Sequence, residues 1–241
     1  QGVIVLWNAA AVEITGFPVA AAQGGVLWDV LHTLTPEATR SPQALDHLRT
    51  RLLAILQDEP DMPTITEMRL IQRADGASRT VQLTCFPLAA HGANHIACTL
   101  RDVTRDVALL NRLSTVERAV EQSPTSILIT DPEGCIEYAN PRLLDLTGYR
   151  SDELAGQTPR VFQSGLTPAS TYQDLWNTIK GGRVWHGELH NRKKDGTLFW
   201  EEISISPVFA PDGGIQHFVA IKEDITPRKQ AEQALSESAE L

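Results

Sequence analysis

Hydrophobic and polar positions alternate along three stretches near the C-terminal end, Val184 to Asn191, Leu198 to Val208 and Ile215 to Lys222. A period of two predicts β-strands. The dipeptides Asp195-Gly196 and Asp212-Gly213 fall between them and predict hairpin turns, because glycine supplies the positive φ that tight turns need. On the middle strand Phe199, Glu201, Ile203 and Ile205 share one face, and on the last Phe218, Ala220 and Lys222 do so. Trp200, Val219 and Ile221 take the opposite face. A sheet apolar on both sides has to be covered twice, by helices on one side and by a linker helix or a second subunit on the other. A different period marks Asp106 to Gln122, where Leu109, Leu113, Val116 and Val120 recur at spacings of 4, 3 and 4, the seam of a short coiled coil. A second such helix starts at Pro227, with Ala231, Ala234, Ser238 and Leu241 on its stripe.

The pattern occurs twice. Asn8 to Phe17 aligns with Asn140 to Tyr149 at a constant offset of 132, Asp75-Gly76 with Asp195-Gly196 at 120, and Asp102-Val103-Thr104 with Asp224-Ile225-Thr226 at 122. The expected organisation is one domain over 1–104, a linker helix over 105–122, a second domain over 123–226 and the start of a C-terminal helix over 227–241. The first copy is expected to lack an opening strand, since nothing before Gly2 corresponds to Ser126 to Asp131. Each copy reads as α+β, an antiparallel sheet with helices on one face.

Length agrees with this: 241 residues accommodate two domains of about 100 residues. With 42% hydrophobic and 21% charged residues the chain is ordinary globular protein. A net charge of −9 without a basic stripe argues against nucleic acid as a direct partner. No apolar run reaches the length of a membrane span. Cys85, Cys98 and Cys135 form no CxxC motif. They read as core or strand fillers in a reducing, cytoplasmic compartment.

The motifs Ile127-Leu128-Ile129-Thr130-Asp131, Tyr138-Ala139-Asn140, Leu146-Thr147-Gly148-Tyr149, Asn191-Arg192-Lys193-Lys194-Asp195-Gly196 and Asp224-Ile225-Thr226 resemble the PAS domain family over nearly the whole chain. The resemblance implies two PAS domains joined by a linker helix. Gly156 to Gly165 and Trp185 to Gly196 of the second copy are similar to flavin-binding PAS domains. They look closest to the FAD-holding redox sensors of nitrogen-fixation regulation, aerotaxis and methane-oxidation sensing, and more distantly to the LOV photoreceptors. Where the LOV pattern has the cysteine that attacks the flavin under blue light, this chain has Pro159. Redox sensing is therefore expected in place of an adduct photocycle.

The resemblance puts Asn191 at the polar edge of the flavin, and Trp185, Phe162, Phe218, Ile203 and Ile205 can supply apolar walls. Arg160, Gln163 and Asn140 complete the expected cofactor-binding set. Glu201 and Lys222 are placed near the flavin edge, where LOV domains use asparagine and glutamine. A buried carboxylate and ammonium are costly unless paired with each other or bonded to a ligand. The first copy has Gln72-Arg73 against Asn191-Arg192 and no apparent counterpart of Trp185, so no cofactor is expected there.

The pairs His186/His190 and His91/His95 have the i, i+4 spacing of helical metal ligands, but both fall in expected strand or turn, where that spacing separates the side chains. His47, in a helix of the first copy, has no companions that would mark a haem site. No nucleophile elbow or phosphate loop is present, so no catalytic residue is assigned. The reading is a sensory input module carrying FAD, homodimeric through its helices and outer sheet faces, feeding an output domain such as a histidine kinase. The contrasting reading is a ligand-free module that dimerises and relays.

Overall fold

The computed structural model describes residues 2–56, 64–90 and 93–239, in two compact units, Gln1–Leu113 and Ser114–Leu241. The first unit runs α1 (Ala9–Thr15), α2 (Val19–Ala22), α3 (Leu27–Thr33), α4 (Pro42–Leu56), β1 (Ile65–Gln72), β2 (Ser78–Ala90) and β3 (Ala93–Asp102). Helix α5 (Thr104–Glu121) spans the division. The second unit then runs β4 (Ser126–Thr130), β5 (Ile136–Ala139), α6 (Pro141–Thr147), α7 (Ser151–Leu154), a 3₁₀ turn at Pro159–Phe162, α8 (Ala169–Lys180), β6 (Trp185–Arg192), β7 (Leu198–Phe209), β8 (Ile215–Asp224) and α9 (Thr226–Ala239).

In the second unit the strands are antiparallel in the order β5-β4-β8-β7-β6. The expected strand faces are observed: Phe199, Glu201, Ile203, Phe218, Ala220 and Lys222 are all buried. Their apolar members join Leu143, Leu154, Leu175 and Ile179 from α6, α7 and α8 in one core, apart from Phe199. Helix α8 contributes because Tyr172, Leu175, Trp176 and Ile179 fall on one stripe of its surface.

The duplication is visible bond by bond. Ile4 exchanges backbone hydrogen bonds with Gly24 and Gly25, as Ile136 does with Gly156 and Gln157. Asn8 and Asn140 cap α1 and α6, and Gly16 and Gly148 end these helices at φ of 70° and 75°, a conformation open to glycine at no steric cost. Thr104 Oγ1 accepts from the Thr80 amide as Thr226 Oγ1 accepts from the Trp200 amide. Among the described residues the first sheet has three strands, β1-β2-β3. The segment matching β5 is held by an isolated bridge between Val3 and Val26, and nothing among the described residues stands in the place of β4.

The register corrects one alignment. Asn191 lies opposite Phe199, and the equivalent pair in the first unit is Ile71 opposite Arg79. Gln72 therefore matches Arg192, and Ile71, buried among apolar neighbours, matches Asn191. A slip of one residue along a strand exchanges its two faces, which is why Gln72 is exposed where Asn191 is buried. By the same register Ile65 stands where the second unit has Trp185.

Candidate functional site

The inward faces of β4, β7 and β8, the apolar stripe of α8 and the 3₁₀ turn enclose a cavity of about 220 Å³ in the second unit. Its lining is mostly aliphatic and aromatic, from Leu128, Leu175, Trp176, Leu189, Ile203, Ile205, Phe218 and Ala220. Trp176 meets Phe218 edge to face, with ring centroids 6.1 Å apart. The polar groups of the lining are Asn191 and Lys222 with Thr130, Glu133, Thr158, Arg160, Gln163 and Tyr172. Burial pushes the Tyr172 phenol above its ordinary pKa, so it stays a neutral donor and acceptor.

Glu201 is fully buried and joins two of these groups. Its Oε1 accepts from Lys222 Nζ at 2.9 Å and from Asn191 Nδ2 at 2.5 Å. Strand register makes the cluster: Ile203 is opposite Lys222, so Glu201 on the same face reaches the ammonium diagonally, and Asn191 comes from the neighbouring β6. Within the protein, Asn191 Oδ1 and Glu201 Oε2 are buried without a hydrogen-bond partner. A buried acceptor left this way costs about 1–3 kcal/mol; Asn191 lines the cavity, whereas Glu201 lies behind the lining. Lys222 Nζ also sits 5.1 Å from the centre of the Phe162 ring, a cation–π distance.

The structure sorts the expected site residues. Asn191, Lys222, Gln163, Arg160, Phe218, Ile203 and Ile205 line the cavity, with Glu201 directly behind Asn191 and Lys222. Trp185 and Phe162 are buried one layer further back. Trp185 donates from Nε1 to Asp174 of α8 at 2.9 Å and ties β6 to that helix. Asn140 is a correction: it does not reach the cavity. Its Oδ1 accepts from the Ile127 and Leu143 amides while its Nδ2 donates to the Thr125 and Val120 carbonyls, which uses the whole amide on backbone. Sequence reasoning missed Tyr172 and Trp176, although their place on the amphipathic stripe of α8 marks them as inward-facing.

At the three positions matching the polar cluster the first unit has Ile71, Val81 and Leu100, all aliphatic. Its His47 is exposed on α4. His190 stacks on Trp200 with ring centroids 4.3 Å apart, and His91 lies outside the described residues. No group of three or more metal-binding side chains comes together among the described residues. None of the described helices is long and apolar enough to cross a membrane.

The outer face of the sheet receives the exit helix. Asp224 Oδ1 accepts from the Thr226 amide, and Lys229 Nζ lies 5.4 Å from the Trp200 ring centre. Glu188 pairs with Lys229 at 2.6 Å and with Arg228 at 3.1 Å. The Lys229 ammonium, and secondarily Arg228, hold the Glu188 carboxyl below its usual pKa. A lowered carboxyl pKa contributes attachment that is present above the ordinary carboxylate range and lost as pH falls through the folded value. Hydrogen exchange at the first turn of α9 is therefore expected to speed up as pH drops below about 4, after correction for the intrinsic exchange rate, and Glu188→Gln is expected to remove that pH dependence.

One backbone position guards the cavity. Gly134 has φ of 93°, and a Cβ there would stand 2.7 Å from the Trp176 ring. Gly134→Ala is expected to displace Trp176 and weaken ligand uptake, measurable by titration, with a stability loss of about 1–3 kcal/mol from backbone strain and crowding.

The PAS domain family matches residues 1–105 and again residues 124–227. The chain belongs to this family and is a tandem of two PAS sensory domains. It is 39% identical over 116 residues to a nitrogen fixation regulatory protein of Klebsiella oxytoca, covering 48% of this chain and 23% of that protein. It is 35% identical over 122 residues to the bacterioopsin transcriptional activator of Halobacterium salinarum, covering 49% of this chain and 18% of the other. A blue-light-activated histidine kinase of Brucella canis is 34% identical over 122 residues, covering 49% of this chain and 25% of that one. The alignments thus span a quarter or less of these relatives. Among solved structures, an RNA-binding light-oxygen-voltage receptor aligns over 97% of this chain and 96% of its own, at 16% identity and a TM-score of 0.49.

Proposed function

We propose that the second PAS domain holds a flavin, FAD, in the cavity around Asn191 and that the module senses redox state or oxygen. The observation that carries this reading is a cavity with apolar walls on which Asn191 and Lys222 converge, both held by the buried Glu201, with Asn191 Oδ1 left unpartnered. The polar edge of an isoalloxazine ring alternates carbonyl acceptors with an N–H donor, which suits an amide and an ammonium as donors and an amide oxygen as acceptor. A space of about 220 Å³ is below the range for a whole drug-sized ligand, so it suits the ring system with the remainder of the cofactor outside it. Similarity to a nitrogen fixation regulatory protein and to a blue-light-activated histidine kinase supports a sensory role with a separate output domain, a histidine kinase being the expected one. Pro159 lines the cavity and offers no thiol, which favours redox over adduct chemistry.

Bound flavin would supply a two-electron acceptor whose ring gains negative charge on reduction. Lys222 Nζ is positioned to turn toward that charge and away from Glu201 Oε1, while the Glu201 carboxylate is repelled. Lys222 lies two residues before Asp224, whose carboxylate holds the Thr226 amide at the start of α9. A shift of β8 is thereby delivered to the exit helix. The exposed apolar residues of α5, Leu109, Leu113 and Val116, support a second copy of the chain as partner, and Ile221 on the outer sheet face is half exposed as well.

Hydrogen exchange of α9 in oxidised and reduced protein tests the relay. Reduction is expected to change protection of the first turn of α9 in the parent. Lys222→Gln and Glu201→Gln are expected to abolish that change and to move the flavin midpoint potential. A parent whose α9 responds to reduction while both variants keep the parental potential and response would remove the mechanism.

A further inference from the structure

Two of the three cysteines are brought together by the fold of the first PAS domain. Cys85 on β2 lies directly opposite Cys98 on β3, and their sulfurs approach to 2.6 Å. That is nearer to a covalent disulfide, about 2.05 Å, than to the separation of two sulfurs that merely pack. The side chains point to the inner face of the sheet, Cys85 into the core with Leu83 and Leu52 and Cys98 onto a groove lined by Leu83, Ile96 and Leu100. By strand register the pair occupies the positions of Ile205 and Ala220, two walls of the cavity in the second domain.

We infer that Cys85 and Cys98 form a reversible thiol–disulfide redox site in the first PAS domain, with small-molecule disulfides as the oxidant class. Cys98, partly exposed on the groove, attacks first, and buried Cys85 resolves. The Cys98 thiolate attacks one sulfur of oxidised glutathione, a mixed disulfide forms and one glutathione thiolate leaves. Cys85 gives up its proton and attacks Cys98 Sγ, so the internal disulfide forms and the second glutathione thiolate leaves. In net terms two cysteine thiols are oxidised and one glutathione disulfide is reduced to two thiols. The Cys85 sulfur and burial both push the Cys98 thiol well above its ordinary pKa. A thiol held up in this way is little ionised near neutral pH, so the first attack is slow. The bond closes a loop between residues 13 apart and staples β2 to β3 just upstream of Asp102, Thr104 and the linker helix.

The test uses the 241-residue chain carrying Cys135→Ser, incubated with oxidised glutathione, quenched with acid, denatured, alkylated and analysed by peptide mass spectrometry. The expected result is a linked peptide pair containing Cys85 and Cys98, loss of alkylation at both, and a raised melting midpoint that dithiothreitol reverses. With Cys85→Ala the same treatment is expected to stop at a glutathione adduct on Cys98, and with Cys98→Ser to leave Cys85 unmodified. Full alkylation of both cysteines after treatment, or a lasting glutathione adduct on Cys98 while Cys85 is intact, would overturn the assignment.

Discussion

Replacing Lys222 with methionine is expected to destabilise the second domain by about 3–5 kcal/mol, measured by urea unfolding without flavin. The Lys222 and Glu201 side chains are 5% and 1% exposed, so the change strands a carboxylate where water cannot solvate it. An exposed ion pair would cost under about 1 kcal/mol, and a loss that small would mean that the cluster is open to solvent. Adding Glu201→Gln to Lys222→Met is expected to recover most of the loss. The glutamine carbonyl still accepts from Asn191 Nδ2, and no charge is left to solvate. Such a cluster is a costly way to build a core, and the aliphatic Ile71, Val81 and Leu100 at the matching positions of the first domain show the same fold made without it.

Asn140→Ala is expected to cost a similar amount, about 3–5 kcal/mol, more than a helix cap alone. Its side chain serves α6 as a cap and also holds Ile127, Thr125 and Val120, so truncation strands groups at the end of the linker helix and the start of β4. The duplicated chain supplies its own control. Asn8 makes the corresponding capping bond to Ala11 and is exposed, so Asn8→Ala should cost about 0.5–1 kcal/mol. Equal losses at the two asparagines would contradict the role given to Asn140.

The duplication and the faces of β7 and β8 are legible in the sequence because strand alternation is local and rigid. Glu201 and Lys222 stand out in it as polar positions on apolar faces. Asn140 misleads for the opposite reason. An asparagine before a helix is visible as a cap, but its bonds to residues 13, 15 and 20 positions away depend on where β4 and the linker helix come to rest. Gln72 falls one residue off its true match because it resembles Asn191 in residue type; the offset of 120 at Asp75-Gly76 already sets Ile71 against Asn191, and the backbone ladder agrees. Tyr172 and Trp176 are hidden by the ordinary use of such a stripe, since a helix that packs four residues against a sheet looks the same whether or not a cavity lies beneath it.

The absorption spectrum of the purified chain, before and after incubation with FAD and removal of the excess, tests flavin binding by the second PAS domain most directly. The expected result is a yellow protein, or one that becomes yellow, with bands near about 370 and about 450 nm that bleach on reduction and return in air, and a bound cofactor that is released as FAD on denaturation. A well-folded chain that stays colourless and retains no flavin would contradict this function and leave the second PAS domain as a ligand-free dimerisation and relay module.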